Sequence, residues 1–181
     1  MAALDSELVA FPAELNGFDR LVTGLGKLQA AYGLTRALDA TGYEEIVVVG
    51  TAGALDDDLQ GGVYEIAAAI QHDVADLDGT VGRHIALPER IEITEDGVVI
   101  ATGDRFIDDP DVVTLIRGLG AGMVDMETYV YAWVAQKFGV PIRIYKAISD
   151  RAQDGATTTW DETVAACSAE LRVRITEDYG V

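Results

Sequence analysis

The chain has 181 residues, of which 49% are apolar and 24% are charged, and this composition fits one globular domain spanning residues 1–181. Its 31 acidic and 13 basic residues give a formal charge of −18, which disfavours binding to nucleic acid or to an anionic membrane. The single Cys167 excludes an internal disulfide and is compatible with a cytoplasmic location. Because the start has no basic leader region and no run of ~20 apolar residues occurs, we expect a protein that is neither exported nor membrane-spanning.

The first half of the chain predicts strands with one helix between them. "DRLVTG" (19–24) predicts a short strand ending in glycine, and "EEIVVVG" (44–50) predicts a fully buried one. "GVYEIAAAIQ" (62–71) and "GRHIALPERIEITEDGVVIATGD" (82–104) predict further strands around turns such as "EDG". Between the first two, "KLQAAYGLTRALDATG" has helical spacing and a glycine stop, through Leu28, Ala31, Leu34, Leu38 and Gly42.

The second half predicts helices on either side of one strand. "DPDVVTLIRGLG" (109–120) predicts a short helix with Pro110 in its first turn. "DMETYVYAWVAQKF" (125–138) predicts a helix, "IRIYKAISD" (142–150) a strand and "WDETVAACSAELRVRITEDYG" (160–180) a final helix. Strands alternating with helices predict an α/β fold with a mainly parallel sheet covered on both faces.

Two glycine-containing stretches could hold a ligand. "VVVGTAGAL" predicts a strand running into a turn at Gly50 to Gly53, which could either bind a ligand through its backbone or simply connect two elements. "TGLGKLQAA" resembles part of a dinucleotide-binding motif, with Gly24 and Gly26. It lacks the third glycine and the acidic residue expected about 20 positions later. We therefore predict no nicotinamide cofactor.

The segment "QHDVAD" places His72, Asp73 and Asp76 together, and these residue types suit a metal ion. The only other histidine is His84, and a solvated strand end explains the cluster equally well. We therefore predict no metal site.

The segment "YKAISD" ends an apolar strand on Ser149 and Asp150, at the sheet edge where α/β proteins bind ligands. Glu127 lies in the first turn of the preceding helix, and that end of the helix faces the same edge. The two carboxylates could therefore face one pocket. Alternatively, Glu127 only complements the helix dipole and Asp150 caps the next segment.

At these residues the sequence resembles a known family. "VDMETYVYAWVAQKFGVPIRIYKAISDRA" is similar to the signature of the purine nucleoside phosphorylase and nucleosidase superfamily, in particular the bacterial 5′-methylthioadenosine/S-adenosylhomocysteine nucleosidases. Further matches follow in the family's order, from about residue 3 to about residue 163: "ALDSEL", "TGLGKLQAA", "GTAGAL", "QHDVAD", "TGDRFI" and "TTTWDE". The resemblance implies a three-layer αβα sandwich with a mixed, mainly parallel central sheet.

The resemblance also implies catalytic roles. Asp150 would be the general acid that protonates N7 of the departing purine, which requires a raised pKa. Glu7 would position and deprotonate the attacking water. Glu127 would hold the ribose hydroxyls, and nearby carboxylates would stabilise the positive charge that develops on the sugar.

Eight further positions would line the substrate site by the same resemblance. Phe106 and Ile107 would form the purine slot, Met126 would pack on the sugar and Trp160 would close over the 5′ substituent. Thr51, Ala52 and Gly53 would border the pocket where phosphorylases hold phosphate and hydrolases hold water, and Ser149 would also bind the substrate. Phosphorylases of this superfamily usually place arginine beside the glycine turn, but here "EEIVVVGTAGALDDDL" supplies only acids. Water is therefore the predicted nucleophile.

The chain departs from the family in two places. Only Met1 and Ala2 precede "ALDSEL", where the family has a core strand, so either upstream residues are missing or Glu7 lacks that support. The chain is also shorter than its relatives after "FPAEL" and after "QHDVAD". The latter stretch normally lines the 5′ pocket and reaches into a partner subunit, so the 5′ group stays open, and relatives form homodimers.

The predicted function is hydrolysis of the N-glycosidic bond of a purine nucleoside, in particular a 5′-thio-substituted adenosine, without a cofactor. The alternatives are a hydrolase for another purine nucleoside such as a futalosine-like compound, a phosphate-dependent phosphorylase, and a non-catalytic purine-binding protein.

Overall fold

The computed structural model describes residues 1–152 and 156–181, apart from the side chains of residues 156–159, 161 and 162. Its helices are α1 (Lys27–Ala40), α2 (Pro110–Gly118), α3 (Thr128–Phe138) and α4 (Ala156–Tyr179), and one 3₁₀ turn spans Asp5–Leu8. Its strands are β1 (Ile46–Ala54), β2 (Val63–Gln71), β3 (Arg90–Glu92), β4 (Val98–Thr102), β5 (Met123–Asp125) and β6 (Ile142–Asp150). None of the helices in this described part combines the length and hydropathy needed to cross a bilayer.

The strands form one mixed sheet in the order β3-β2-β4-β5-β1-β6. Parallel pairing joins β1 to β6, β2 to β4 and β4 to β5, and the β1–β6 ladder is the longest. Antiparallel pairing joins β1 to β5, β2 to β3 and β2 to β6. Because β2 pairs with both β4 and β6, the sheet curls and closes on itself. The predicted α/β class with a mixed, mainly parallel sheet is confirmed.

Helices cover both faces of β1 and β6 because consecutive strand residues point to opposite sides. Val48 and Ile144 pack in the cluster that contains buried residues of α1 and α3. Their neighbours Val49 and Tyr145 pack in the cluster that contains Leu171 and Ile175 of α4. The predicted layers of helix, sheet and helix therefore arise from two strands that are apolar on both faces.

The helices lie where the patterns predict them, with changes in detail. The buried residues of α1 are Ala30, Leu34 and Leu38, whereas Leu28 is 85% exposed, so its predicted place on the core face is wrong. The prediction for α2 is confirmed, since it begins at Pro110 and Asp109 caps it by accepting the Asp111 N–H. The last helix begins at Ala156, before the predicted Trp160.

Two local predictions are wrong. Residues 19–24 form no strand; only Val22 bridges to Ala2, because just residues 1–3 run beside this segment. The stretch from Gly50 to Gly53 is not a turn but part of β1, which continues to Ala54. Neither glycine has a positive φ, so neither is there to turn the chain.

Candidate active site

A cavity of about 260 Å³ opens where β1, β5 and β6 end. All eleven predicted site residues lie around it, contributed by elements from the start of the chain to α4. They are Glu7, Thr51, Ala52, Gly53, Phe106, Ile107, Met126, Glu127, Ser149, Asp150 and Trp160. The sequence therefore predicts which residues share a pocket, although the pocket alone does not assign their roles.

Two glycines of β1 leave room for charged groups to approach the strand, because glycine has no side chain. A Cβ on Gly50 would lie 3.0 Å from Lys146 Nζ and 3.1 Å from Glu7 Oε1. A Cβ on Gly53 would lie 3.0 Å from Asp150 Oδ1. These glycines thus provide space for carboxylates and an ammonium, which explains their presence inside a strand.

Glu7 is buried and held against β1. Its Oε1 accepts hydrogen bonds from the Thr51 N–H at 2.7 Å and the Thr51 hydroxyl at 2.9 Å. Its Oε2 accepts the Leu4 N–H at 3.1 Å, and Ser168 of α4 donates to the Glu7 carbonyl at 2.8 Å. Thr51 Oγ1 also accepts the Trp160 indole N–H at 2.8 Å. These hydrogen bonds fix the position of Glu7 beside β1.

Asp150 lies at the end of β6, beside an irregularity in the β1–β6 ladder. Ala52 pairs with Ile148 but Gly53 pairs with Asp150, so Ser149 is an extra residue that re-aims its neighbour. The Ser149 hydroxyl and the Ala152 N–H donate to the Asp150 carboxylate, each at 2.8 Å. The latter bond accompanies a left-handed Ala152, with φ of 48°, a conformation that non-glycine residues seldom adopt.

Burial raises the pKa of Asp150, although its hydrogen bonds from Ala152 and Ser149 work in the opposite direction. A carboxyl with a raised pKa keeps its proton closer to neutral pH. Asp150 therefore has the environment that a proton donor requires.

Glu127 is the residue immediately before α3 and connects the cavity to α1. Its Oε1 accepts the N–H of Gly26, the residue that precedes α1, at 2.7 Å. Burial, with the nearby Asp125 carboxylate, raises the pKa of Glu127 to about 8. "TGLGK" thus supplies a backbone donor for an acidic side chain, and this contact gives no support to a dinucleotide site.

Sequence reasoning missed a buried ion pair beside these carboxylates. Lys146 Nζ lies 2.9 Å from Asp125 Oδ2, and both side chains are almost fully buried. Burial works to lower the pKa of Lys146, but the charges of Asp125, Glu7 and Glu127 raise it overall. Asp125 also accepts the Thr102 hydroxyl at 2.7 Å. A lysine inside the apolar strand "IRIYKAI" was the signal that could have identified it.

Lys146 also corrects the prediction that only acids lie near Gly50. That prediction considered neighbours in sequence, whereas Lys146 reaches Gly50 from the adjacent strand β6. Its charge is balanced by Asp125.

"QHDVAD" does not converge on a metal. Asp73 pairs with Lys27 at 2.7 Å and accepts the Asp104 N–H at 2.8 Å. Asp76 instead accepts the backbone N–H groups of residues 78 and 80 in its own turn. Burial lowers the pKa of His72, whose Nε2 has no hydrogen-bond partner among the described residues. In the described ranges no group of three potential ligands is placed to hold a metal ion.

These contacts anchor the segment that carries Phe106 and Ile107. Asp104 accepts the Lys27 N–H at 2.8 Å, while Asp73 holds both the Asp104 backbone and the Lys27 ammonium. Ile107 is buried, whereas Phe106 is 39% exposed at the rim of the cavity. Of the "TTTWDE" motif, only the Trp160 side chain lies within the described part.

Comparison with known proteins assigns a family. Residues 21–177 match the model of the phosphorylase superfamily. The 5′-methylthioadenosine/S-adenosylhomocysteine nucleosidase of Geobacillus thermodenitrificans is 32% identical over 177 residues, covering 83% of this chain and 75% of that protein. The enzyme of the same name from Bacillus subtilis is 30% identical over 181 residues, covering 86% and 78%.

Solved structures show the same fold. A Helicobacter pylori 5′-methylthioadenosine/S-adenosylhomocysteine nucleosidase in complex with a small molecule has a TM-score of 0.85 at 24% identity, covering 97% of this chain and 96% of that one. A futalosine hydrolase mutant of the same organism gives the same values. On its sequence match, its relatives and its fold, the chain belongs to the phosphorylase superfamily, in the family of 5′-methylthioadenosine/S-adenosylhomocysteine nucleosidases.

Proposed function

We propose that this protein hydrolyses the N-glycosidic bond of a 5′-thio-substituted adenosine, releasing adenine and the free thio-ribose. One observation carries the proposal: Asp150, Glu127 and Glu7 converge on a single cavity of about 260 Å³, and burial raises the pKa of Asp150. The names of the curated relatives support the same substrate class.

Asp150 is the general acid in this mechanism. Its proton passes to N7 of the purine as the bond between N9 and C1′ breaks, so the base leaves as a neutral molecule. Phe106 and Ile107 hold the purine ring, and Ser149 fixes the orientation of the carboxyl group.

Glu7 receives a proton from the attacking water as the water oxygen bonds to C1′. Its two hydrogen bonds from Thr51 aim its carboxylate into the cavity. The reaction leaves Asp150 ionised and Glu7 protonated, and proton exchange with water restores both groups. Thr51, Ala52 and Gly53 border the position of this water.

Glu127 holds the ribose hydroxyls while Met126 packs on the sugar. A protonated carboxyl can both donate and accept hydrogen bonds, which suits two hydroxyls. As positive charge develops on the sugar, the nearby carboxylates stabilise it electrostatically. Trp160 closes the cavity over the 5′ substituent.

Water is the proposed nucleophile because the only cation beside Gly50 in the described part of the chain, Lys146, is paired with Asp125 and faces Glu7. A bound phosphate would lie close to these carboxylates, and the like charges would disfavour its binding.

Incubation of the protein with methylthioadenosine, with and without phosphate, tests the assignment. We expect equal rates of adenine release and a free sugar as product. A strict phosphate requirement with ribose-1-phosphate as product would instead identify a phosphorylase, and binding without turnover would identify a purine-binding protein. Futalosine in parallel reactions tests the remaining alternative, which the fold likeness to futalosine hydrolase makes worth including.

We also propose that the protein forms a homodimer and is located in the cytoplasm. Leu28 and Tyr32 lie one turn apart on α1 and are 85% and 62% exposed, next to Leu25 at 52%. Such an apolar face suits a second copy of the chain. Sedimentation should give a dimer mass for the parent and a monomer mass for Leu28→Glu. The lone, unpaired Cys167 is compatible with the cytoplasm.

A further inference from the structure

Tyr131 of α3 is a fully buried tyrosine whose hydroxyl reaches the turn that precedes α1. It lies 2.6 Å from the hydroxyl of Thr23, which is also buried. Because the Thr23 hydroxyl donates to the Gly24 carbonyl at 3.2 Å, the Tyr131 hydroxyl is the donor in this pair. Burial and the nearby Glu127 carboxylate raise the pKa of Tyr131, so its hydroxyl keeps the proton at neutral pH. A buried hydrogen bond between two segments that are distant in sequence therefore holds the turn against α3.

The turn, residues 23–26, contains two glycines with left-handed backbones, Gly24 with φ of 95° and Gly26 with φ of 87°. Glycine has no side chain to restrict its backbone, so such a turn needs contacts with its surroundings to hold one shape. Its first two N–H groups donate to the start of the chain. The Thr23 side chain fixes two further sides, since its hydroxyl bonds to Tyr131 and its methyl group packs on α1, where a Cβ on Gly33 would lie 3.1 Å away.

The same turn orients Glu127, which lines the cavity. The Gly26 N–H donates to Glu127 Oε1 at 2.7 Å, and in the described part of the chain it is the only hydrogen-bond donor to this carboxyl. Tyr131 follows one helical turn after Glu127, and its N–H donates to the Glu127 carbonyl at 3.1 Å. One residue thus links the backbone of Glu127 to the turn that directs its carboxyl group.

We propose that Tyr131 is a positioning residue for ribose binding. Its hydroxyl, through Thr23, holds the turn so that the Gly26 N–H keeps one oxygen of the Glu127 carboxyl and leaves the other for the substrate. The inference rests on the proposed function, in which Glu127 binds the ribose hydroxyls. Without the Tyr131 hydroxyl, Thr23 loses a buried partner, the turn shifts, and the Glu127 carboxyl no longer meets the ribose in one orientation.

Tyr131→Phe removes only the hydroxyl, and two ligands report its effect. Methylthioadenosine carries the ribose, whereas its product adenine does not. The KM for methylthioadenosine should rise about three- to ten-fold, within the range of one hydrogen bond, with kcat changed less than about two-fold. The inhibition constant of adenine should change less than about two-fold, because Phe106 and Ile107 hold the purine without Glu127.

Thr23→Val tests the path through the turn, since valine has the shape of threonine without the hydroxyl. It should raise the KM for methylthioadenosine by a similar factor. The variant with both substitutions should have a KM no higher than the more affected single variant, because Tyr131→Phe and Thr23→Val remove the same interaction. Multiplied effects of the two substitutions on KM would contradict a path through Thr23.

Tyr129→Phe is the control. Tyr129 is equally buried on α3 and its hydroxyl also makes a 2.6 Å hydrogen bond, but to the Pro88 carbonyl instead of the turn. Tyr129→Phe should lower Tm as Tyr131→Phe does but leave KM unchanged, which separates positioning from lost stability.

Three results would overturn the inference while leaving the nucleosidase intact. They are a KM for Tyr131→Phe within about two-fold of the parent, a parallel rise in the inhibition constant of adenine, and an equal rise in KM for Tyr129→Phe. If the parent releases no adenine from methylthioadenosine, the proposed function itself fails and the inference with it.

Discussion

Replacing Glu127 by glutamine should stabilise the folded protein in neutral and alkaline solution while weakening substrate binding. The carboxyl group is buried near Asp125, and its pKa is raised from 4.5 to about 8. The amide oxygen of glutamine can still accept the Gly26 N–H that Glu127 accepts at 2.7 Å. The substitution therefore removes an ionisable group and keeps the contact that orients the side chain.

The pH dependence of this effect follows from the raised pKa. The unfolded chain releases the proton of Glu127 above pH 4.5, whereas the folded protein retains it to about pH 8. A rise in pH across this window therefore favours unfolding, and above it the cost is constant. At about 1.4 kcal/mol for each pKa unit, the full cost is on the order of 5 kcal/mol.

Thermal unfolding at several pH values measures the difference. Glu127→Gln should have nearly the Tm of the parent at about pH 5 and a Tm higher by roughly 5 °C or more at about pH 8.5. Glu177→Gln, at an exposed position of α4, is the control and should not show this trend. A Glu127→Gln protein that is less stable than the parent at alkaline pH, or a stability difference that does not depend on pH, would contradict the raised pKa of Glu127.

Two other substitutions separate folding from substrate binding. Lys146→Met should lower the free energy of unfolding by about 3–5 kcal/mol in denaturant titrations, because it leaves Asp125 buried without its partner. A loss below about 1 kcal/mol would contradict the importance of this pair. Asp73→Asn should raise KM about three- to ten-fold with kcat within about two-fold, because the loop that carries Phe106 loses its ion-paired anchor. Asp76→Asn, in the same motif, should leave KM unchanged, and equal KM values for these two variants would refute the anchoring role.

The sequence predicts most of the helices and strands because their patterns are local. Apolar runs identify β1, β2 and β6, and Pro110 with its acidic neighbours identifies the start of α2. The predicted strand at residues 19–24 fails because a strand also requires a partner, and here the partner is residues 1–3 alone. Pairing of this kind depends on tertiary structure and leaves no local signature.

The eleven site residues were predictable because each lies in a segment that is similar to a motif of the family. The residues that contact them in the folded protein were not predictable. Asp125 and Lys146 are far apart in sequence and meet only because β5 and β6 both neighbour β1. The glycines of β1 suggested a turn, since glycine indicates both turns and close approach. Only the positions of Glu7, Lys146 and Asp150 in the structure show that these glycines are there to let other side chains approach the strand closely.

Asp150→Asn tests most directly whether Asp150 donates a proton to the departing purine. Asparagine keeps the shape and can donate a hydrogen bond to N7, but it cannot transfer a proton. With methylthioadenosine as substrate, single-turnover kinetics should give a rate ~10²- to 10⁴-fold below that of the parent, while the Kd from calorimetry changes far less. A rate within a few-fold of the parent would show that Asp150 only caps the end of β6, and would contradict the proposed mechanism.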